Sequence, residues 1–382
     1  MARTYYFPPV VIMEPGAIEL IAPEIERMNV KKALVVTDKV LIEAGIVQDV
    51  LDVLDKAQVP YAIFSDVKPN PTVTNVNAGL AVLQENECDF IVSIGGGSPQ
   101  DTAKGIGVLA TNPGDLRDYE GVGKTANKSL PIVAINTTAG TASEATINYV
   151  ITDEERKLKM VIVDPNCLAT VAVNDPNLMI KMPKALTAAT GMDALTHAIE
   201  GYTTAGASAF TDLFNLEAIK AIAKSLRAAV ENGEDIDARD GMAYGQFVTG
   251  MGFSNGGLGI VHSMAHQLGG FYDLPHGVCN AVLLPHVVAY NADAVGDRLA
   301  AVAQAMGVDL TGVKAEDING LAIEAIKTLS KDVGIPSGLE EIGVKKEDFS
   351  ELADLALADI CTGGNPKCPS KDDVIAIYAA AF

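Results

Sequence analysis

The chain has 382 residues, 48% hydrophobic and 20% charged, with 28 basic against 49 acidic side chains and a net charge of −21. This is the composition of a globular enzyme with length for two domains and a sizeable core, and it excludes a disordered chain. The acidic excess argues against nucleic-acid partners and anionic membrane surfaces. The five cysteines (Cys88, Cys167, Cys279, Cys361, Cys368) are odd in number and form no CxxC pair, so they read as reduced thiols of a cytoplasmic protein. The opening MARTYYFPPV lacks the apolar stretch of a signal peptide, and no window has the length and charge-free character of a membrane span.

The first half of the chain alternates strand and helix. KKALVVTD (31–38) is an apolar β run ending in an acid, and residues 42–56 follow with helical spacing. VPYAIFSD (59–66) is a second strand, residues 73–86 are helical, and DFIVSIGGG (89–97) and LPIVAINTT (130–138) are further strands. Strands separated by helices of this length indicate a parallel sheet covered on both faces. INYVIT (147–152) and KLKMVIVD (157–164) flank the polar turn DEER and read as a hairpin appended to that sheet; TVAVND (170–175) is a last short strand. From Pro183 the spacing is helical throughout, with no convincing strand. The boundary falls near DPNLMIKMP, giving an α/β domain over 1–180 and an all-helical domain over 181–382 with a cleft expected between them.

IVSIGGGSPQDTAKGIG runs from an apolar strand through three glycines into a helix. Glycines let a phosphate approach backbone amides, and a new helix N-terminus adds its positive dipole end. Ser98 reads as the N-cap, Pro99 as the first helical residue and Asp101 as either a capping acid or a cofactor contact. The loop is not the GxGxxG fingerprint. A second small-residue loop, NTTAGTAS (136–143), follows the next strand at the same end of the sheet, which strengthens a nucleotide site. Asp38, ending VVTD, can accept hydrogen bonds from a ribose and would repel a 2′-phosphate, favouring NAD over NADP; the plainer reading is a helix-capping acid.

All five histidines lie between Gly191 and His286. Asp193 and His197 are four apart, as are His262 and His266, so each pair leaves one helical face. His276 follows a Gly-rich turn and precedes an apolar run. One carboxylate and three imidazoles would form a shell for a divalent transition metal, leaving room for a substrate oxygen. His262 and His266 could both ligate, or one could stand behind the shell as a proton relay. His286, inside LLPHVV, reads as an ordinary packed histidine.

GGGSPQDTAK, TTAGTASE, ATGMDALTHAIE and VHSMAHQLGGFYDLPHG together resemble the iron-containing (group III) alcohol dehydrogenases over essentially the whole chain. The family includes lactaldehyde reductases, 1,3-propanediol dehydrogenases and iron-dependent ethanol dehydrogenases. The resemblance implies a Rossmann-like N-terminal sheet domain, an all-α C-terminal domain (the dehydroquinate synthase-like architecture), and a homo-oligomer, dimer or higher. It assigns the metal to Asp193, His197, His262 and His276, with iron expected and zinc as the alternative. It makes His266 the non-ligand histidine beside the nicotinamide, the candidate relay, so that His266, Asp193 and His262 carry the chemistry. NAD contacts fall on Asp38, Asn70, Gly95, Gly96, Gly97, Ser98, Asp101, Thr137, Thr138, Thr141 and Lys159; by its sequence alone Lys159 is a solvated strand residue.

The substrate expectation is a short alcohol or aldehyde with a second oxygen, lactaldehyde or 1,2-propanediol. Asn148 stands where ethanol-type members usually carry an aromatic, and an amide there could bind a second hydroxyl. CTGGNP (361–366) also resembles the lactaldehyde-type members, whereas AMGVDL and LPHGVCNAVLLPH fit the ethanol and 1,3-propanediol branches equally. Phe253 and Cys361 are further pocket candidates by resemblance, with core packing as their plainer role. The rivals are a zinc polyol dehydrogenase, a dehydroquinate-synthase-like lyase and a non-catalytic nucleotide-binding protein. A lyase acting on a polyanion would need basic residues, and 240–280 has no lysine or arginine. A non-catalytic scaffold would be expected to have lost a ligand, and none of the four is missing.

Overall fold

A computed structural model describes residues 2–382. The chain divides into two compact units, Met1–Thr138 with Ala142–Lys181, and Ala139–Thr141 with Met182–Phe382. Three residues of the NTTAGTAS loop thus pack with the second unit.

The first unit is built on six parallel strands: β1 (Val10–Met13), β2 (Ala33–Val36), β3 (Tyr61–Phe64), β4 (Phe90–Gly95), β6 (Ile132–Asn136) and β9 (Val171–Asn174), in the order β1-β9-β6-β4-β2-β3. Every residue of β2, β4, β6 and β9 is buried. Side chains alternate between two cores: Leu34, Val36, Ile91 and Ile132 face one, and Ala33, Val35, Val92 and Val133 the other. Because β2 pairs with both β3 and β4, the chain's direction of travel reverses beside β2, and loops leaving the carboxyl ends of β2 and β4 flank a switch point.

Three expectations need correction. The 42–56 segment is two helices, Lys39–Glu43 and Ile46–Lys56, parted by Gly45 in the left-handed region. The hairpin of β7 (Asn148–Asp153) and β8 (Leu158–Val163) does not extend the main sheet. It forms a separate three-stranded sheet with β5 (Gly121–Val122), to which β8 pairs in parallel. The glycine-loop helix runs Gly97–Thr111 with Gly96 at the cap position, so Ser98 is inside the helix and no side chain caps it.

The second unit contains no strand among its described residues. Its central helix, Lys184–Thr203, is buried on nearly every side, and the polar side chains Asp193, His197 and Glu200 are buried with it. It packs against helices Ala209–Glu231, Ile236–Gly256 and His276–Asn291. Gly277 permits the last contact: a Cβ there would lie 2.4 Å from the Ala189 carbonyl oxygen.

Candidate metal centre and nucleotide loops

Asp193, His197 and Glu200 lie along one face of the central helix, and all three are buried. His197 turns its Nδ1–H to the Asp193 carbonyl at 2.9 Å and stacks on Phe253, ring centroids 4.4 Å apart. Burial lowers its pKa to about 3, so the imidazole is neutral.

Glu200 organises the next helix, Ile260–Tyr272. Its carboxylate accepts the backbone N–H of Val261 at 2.7 Å and the Nδ1–H of His262 at 2.6 Å. An acid at a helix N-terminus meets the positive dipole end, and the same acid fixes the His262 tautomer with its Nε2 lone pair outward. Burial pushes the Glu200 carboxyl up to about 7, against the pull of the Val261, Gly259 and His262 backbone groups. Burial, reinforced by His266, drives the His262 pKa well down. One turn along, His266 Nδ1 lies 2.8 Å from Asp359 Oδ2. Burial raises the Asp359 carboxyl, but His266 and the Cys361 backbone N–H outweigh it and hold the group below its ordinary value. Cys361 Sγ joins His266 and Asp359 in one cluster, and burial keeps its thiol well above the usual range.

His276 opens the helix His276–Asn291 and stacks against His266, centroids 5.4 Å apart. One ligand atom each from Asp193, His262 and His276 lies within 4.8 Å of the others. They converge on a single atom, the Asn280 side-chain nitrogen, at 2.7 Å from Asp193 Oδ1, 3.0 Å from His276 Nε2 and 3.2 Å from His262 Nε2. Three electron-pair donors around one point, one of them a carboxylate, suit a divalent cation. His197, the fourth expected ligand, is not in that group, although its ring centroid is 4.2 Å from that of His262. His286 lies apart on the same helix as His276, half-buried, its pKa lowered by burial and Lys327.

In the first unit the expected cofactor residues cluster at the strand ends. Asp38 follows β2 and caps helix Lys39–Glu43 by accepting the Leu41 N–H at 2.9 Å. Gly96 lies against Thr138: a Cβ there would be 2.7 Å from Thr138 Oγ1. Ser98 donates to the Pro69 carbonyl, and Lys159 Nζ reaches Asn70 Oδ1 at 2.9 Å, so Lys159 is not a solvated strand residue. Thr137 is buried with its hydroxyl unpartnered among the described residues. Asp101 caps nothing; it accepts the Ser143 hydroxyl at 2.7 Å and the Val150 N–H at 2.9 Å, and burial raises its pKa. Lys104, on the same helix, donates to the Asn148 carbonyl at 2.8 Å. The Asn148 side chain is half-buried at the start of β7. Thr141 belongs to the second unit, where neighbouring Gly140 packs on Thr190.

Residues 8–176 match the family description "Iron-containing alcohol dehydrogenase", and residues 187–382 match "Fe-containing alcohol dehydrogenase family, C-terminal". The chain belongs to the iron-containing alcohol dehydrogenases. It is 52% identical to the lactaldehyde reductase of Escherichia coli K12 over 369 residues, 96% of each chain. It is 49% identical to the 1,3-propanediol dehydrogenase of Klebsiella pneumoniae over 380 residues, 99% of this chain and 98% of the other. A crystal structure of 1,3-propanediol oxidoreductase superposes with a TM-score of 0.98 at 48% identity, covering 100% of both chains. As a family member the protein is an oxidoreductase of alcohols and aldehydes.

Three residues of this iron-containing dehydrogenase were not singled out from sequence. Glu200 had a signal: an acid one turn beyond His197 in an otherwise buried helix. Asn280 also had one, four residues after His276 on the same helical face. Asp359 had none, being brought to His266 from 93 residues away.

Proposed function

We propose that this dehydrogenase holds a ferrous ion on Asp193, His262 and His276, with His197 as fourth ligand, and uses NAD to interconvert a short hydroxyaldehyde and its vicinal diol, lactaldehyde and 1,2-propanediol being the first choice. The observation that carries this reading is the convergence of three donor atoms beside a fourth neutral histidine. When bound, the ion would supply Lewis acidity to the substrate oxygen and NAD the hydride acceptor. Glu200 keeps His262 in the ligating tautomer. His266, oriented by Asp359, is placed to hold and pass a proton at the nitrogen turned away from that acid. Asp38 disfavours a 2′-phosphate. Zinc is the alternative ion, since nitrogen and oxygen donors bind it more tightly than iron. A homo-oligomer and a cytoplasmic location belong to the same reading; no helix among the described residues is long and apolar enough to cross a membrane.

Asn148 carries the substrate choice. An amide serving a substrate hydroxyl is left unpaired by an analogue lacking it, at a cost of roughly 1–3 kcal/mol, one to two powers of ten in specificity. On protein reconstituted anaerobically with ferrous iron, lactaldehyde should exceed propanal, and 1,2-propanediol exceed 1-propanol, by about that factor in kcat/KM with NAD(H). Asn148→Phe should erase the difference mainly by harming the hydroxylated compound. Equal efficiencies in the wild type would favour the ethanol branch, and a preference for 1,3-propanediol the branch named by the Klebsiella relative.

A further inference from the structure

The chain leaves β2 through Thr37 and Asp38 and turns at once into the short helix Lys39–Glu43. Asp38 and Asp66, which follow the neighbouring strands β2 and β3, lie side by side. Their main chains pair as an antiparallel bridge, and Asn75 holds the Asp66 carbonyl at 2.9 Å. Between them Lys39 sets its ammonium 2.6 Å from the Asp66 carboxylate. The hydrogen bond and charge of Asp66, with Glu43 adding to them, raise the Lys39 pKa above its ordinary value, so the ammonium is charged at neutral pH. The two side chains are 69% and 65% exposed, and an ion pair so open to water contributes little to stability. The strand ends are fixed by main-chain bonds already, so the pair is not needed as a strut. Its place says more. In dinucleotide folds an acid at a strand end takes the ribose hydroxyls, and a cation close by takes a 2′-phosphate where there is one. Here acid and cation are consecutive residues.

We propose that Lys39 is a latent anchor for a 2′-phosphate, kept out of use by two carboxylates: Asp38, which repels the phosphate, and Asp66, which occupies the ammonium. The inference rests on the reading of Asp38 given above. It adds that rejection of NADP is a balance among three side chains and not the act of one. Removing Asp38 lifts the repulsion but leaves Lys39 engaged with Asp66. Removing the Asp66 charge as well frees the ammonium, and a phosphate dianion is a stronger partner for it than a single carboxylate. The contact is at the surface, so its strength must fade in salt.

The test is equilibrium binding of NADPH and NADH to the metal-loaded, full-length protein without substrate, followed by the cofactors' own fluorescence, so that turnover plays no part. Asp38→Gly should narrow the gap between the two affinities. Adding Lys39→Ala to it should weaken NADPH about 10-fold with NADH unchanged, while adding Lys39→Arg should keep the gain. Adding Asp66→Asn to Asp38→Gly should tighten NADPH a further ~3-fold, and this increment should vanish at high salt. A mere strut between β3 and the helix predicts the opposite, since Asp66→Asn would then weaken both cofactors alike. That result, or NADPH binding indifferent to Lys39→Ala, overturns the anchor and leaves the role of Asp38 standing. If Asp38→Gly itself binds NADPH no better than wild type, the reading of Asp38 falls and this inference with it.

Discussion

The two candidate sites of this chain are made from different material. In the α/β unit the nucleotide loops are largely backbone: an uncapped helix start at Gly97, a glycine pressed against Thr138, and main-chain groups of Pro69 and Val150 bonded by Ser98 and Asp101. In the helical unit the metal group is side chains held by other side chains across long separations: Glu200 to His262, Asp193 to Asn280 and Asp359 to His266. A backbone site is tolerant of side-chain chemistry but not of added bulk. A side-chain site is the reverse, since each ligand is only as well aimed as the residue behind it.

The sharpest test removes one ligand and one relay from the same helix. His262→Ala should abolish metal binding and turnover together. His266→Ala should retain metal while slowing turnover by roughly 10²-fold. Metal analysis of the two purified variants decides this, and equal metal loss in both would end the distinction. Next in size is Glu200→Gln. Its amide must turn a donor toward either the Val261 N–H or the His262 Nδ1–H, so metal affinity should fall about 10–100-fold with NAD affinity unchanged. Weakened NAD binding in this variant would break the separation of the two sites.

The added-bulk side of the contrast is probed by two glycines. Gly96→Ala and Gly277→Ala should each cost about 1–3 kcal/mol in denaturant unfolding, because each Cβ meets a packed neighbour. Gly96→Ala should weaken NAD binding and leave metal content alone; Gly277→Ala should do the opposite. The smallest effect on stability belongs to Asp38→Gly, since glycine replaces a capping acid at a cost of a few tenths of a kcal/mol. That variant should nevertheless admit NADP. Wild-type turnover with NADP matching that with NAD would remove the role given to Asp38.

What was legible in the sequence follows the same division. Strands β2, β4, β6 and β9 were visible because burial on both faces leaves unbroken apolar runs. The edge strand β1, VVIM, is an apolar run too, but it is four residues long and bracketed by Pro9 and Pro15, which mask its strand character, and β5 is two residues whose strand character exists only through β8. Helical spacing put Asp193 with His197 and His262 with His266, but spacing gives a face and not a ring direction. His197 shares the face of Asp193, yet its Nδ1 is tied to a backbone carbonyl and its ring to Phe253, and it stands outside the three-atom group. The reading of Ser98 as the N-cap, and the capping alternative for Asp101, failed for a related reason. Gly96 allows the helix to begin earlier than side-chain capping preferences suggest, and Asp101 is recruited instead by Ser143 and Val150.

The order of strands also sets a timetable for the chain's birth. β1 leaves the ribosome first, but its partner is β9, about 160 residues later, and β9 must slot between β1 and β6. Until residue 174 is made, β6 and β1 each present an unpaired edge, and an apolar edge invites neighbouring chains. A nascent chain stalled or cut before that point lacks the strand that joins β1 to the sheet, and it exposes as an edge the strand β6 that the finished fold buries completely.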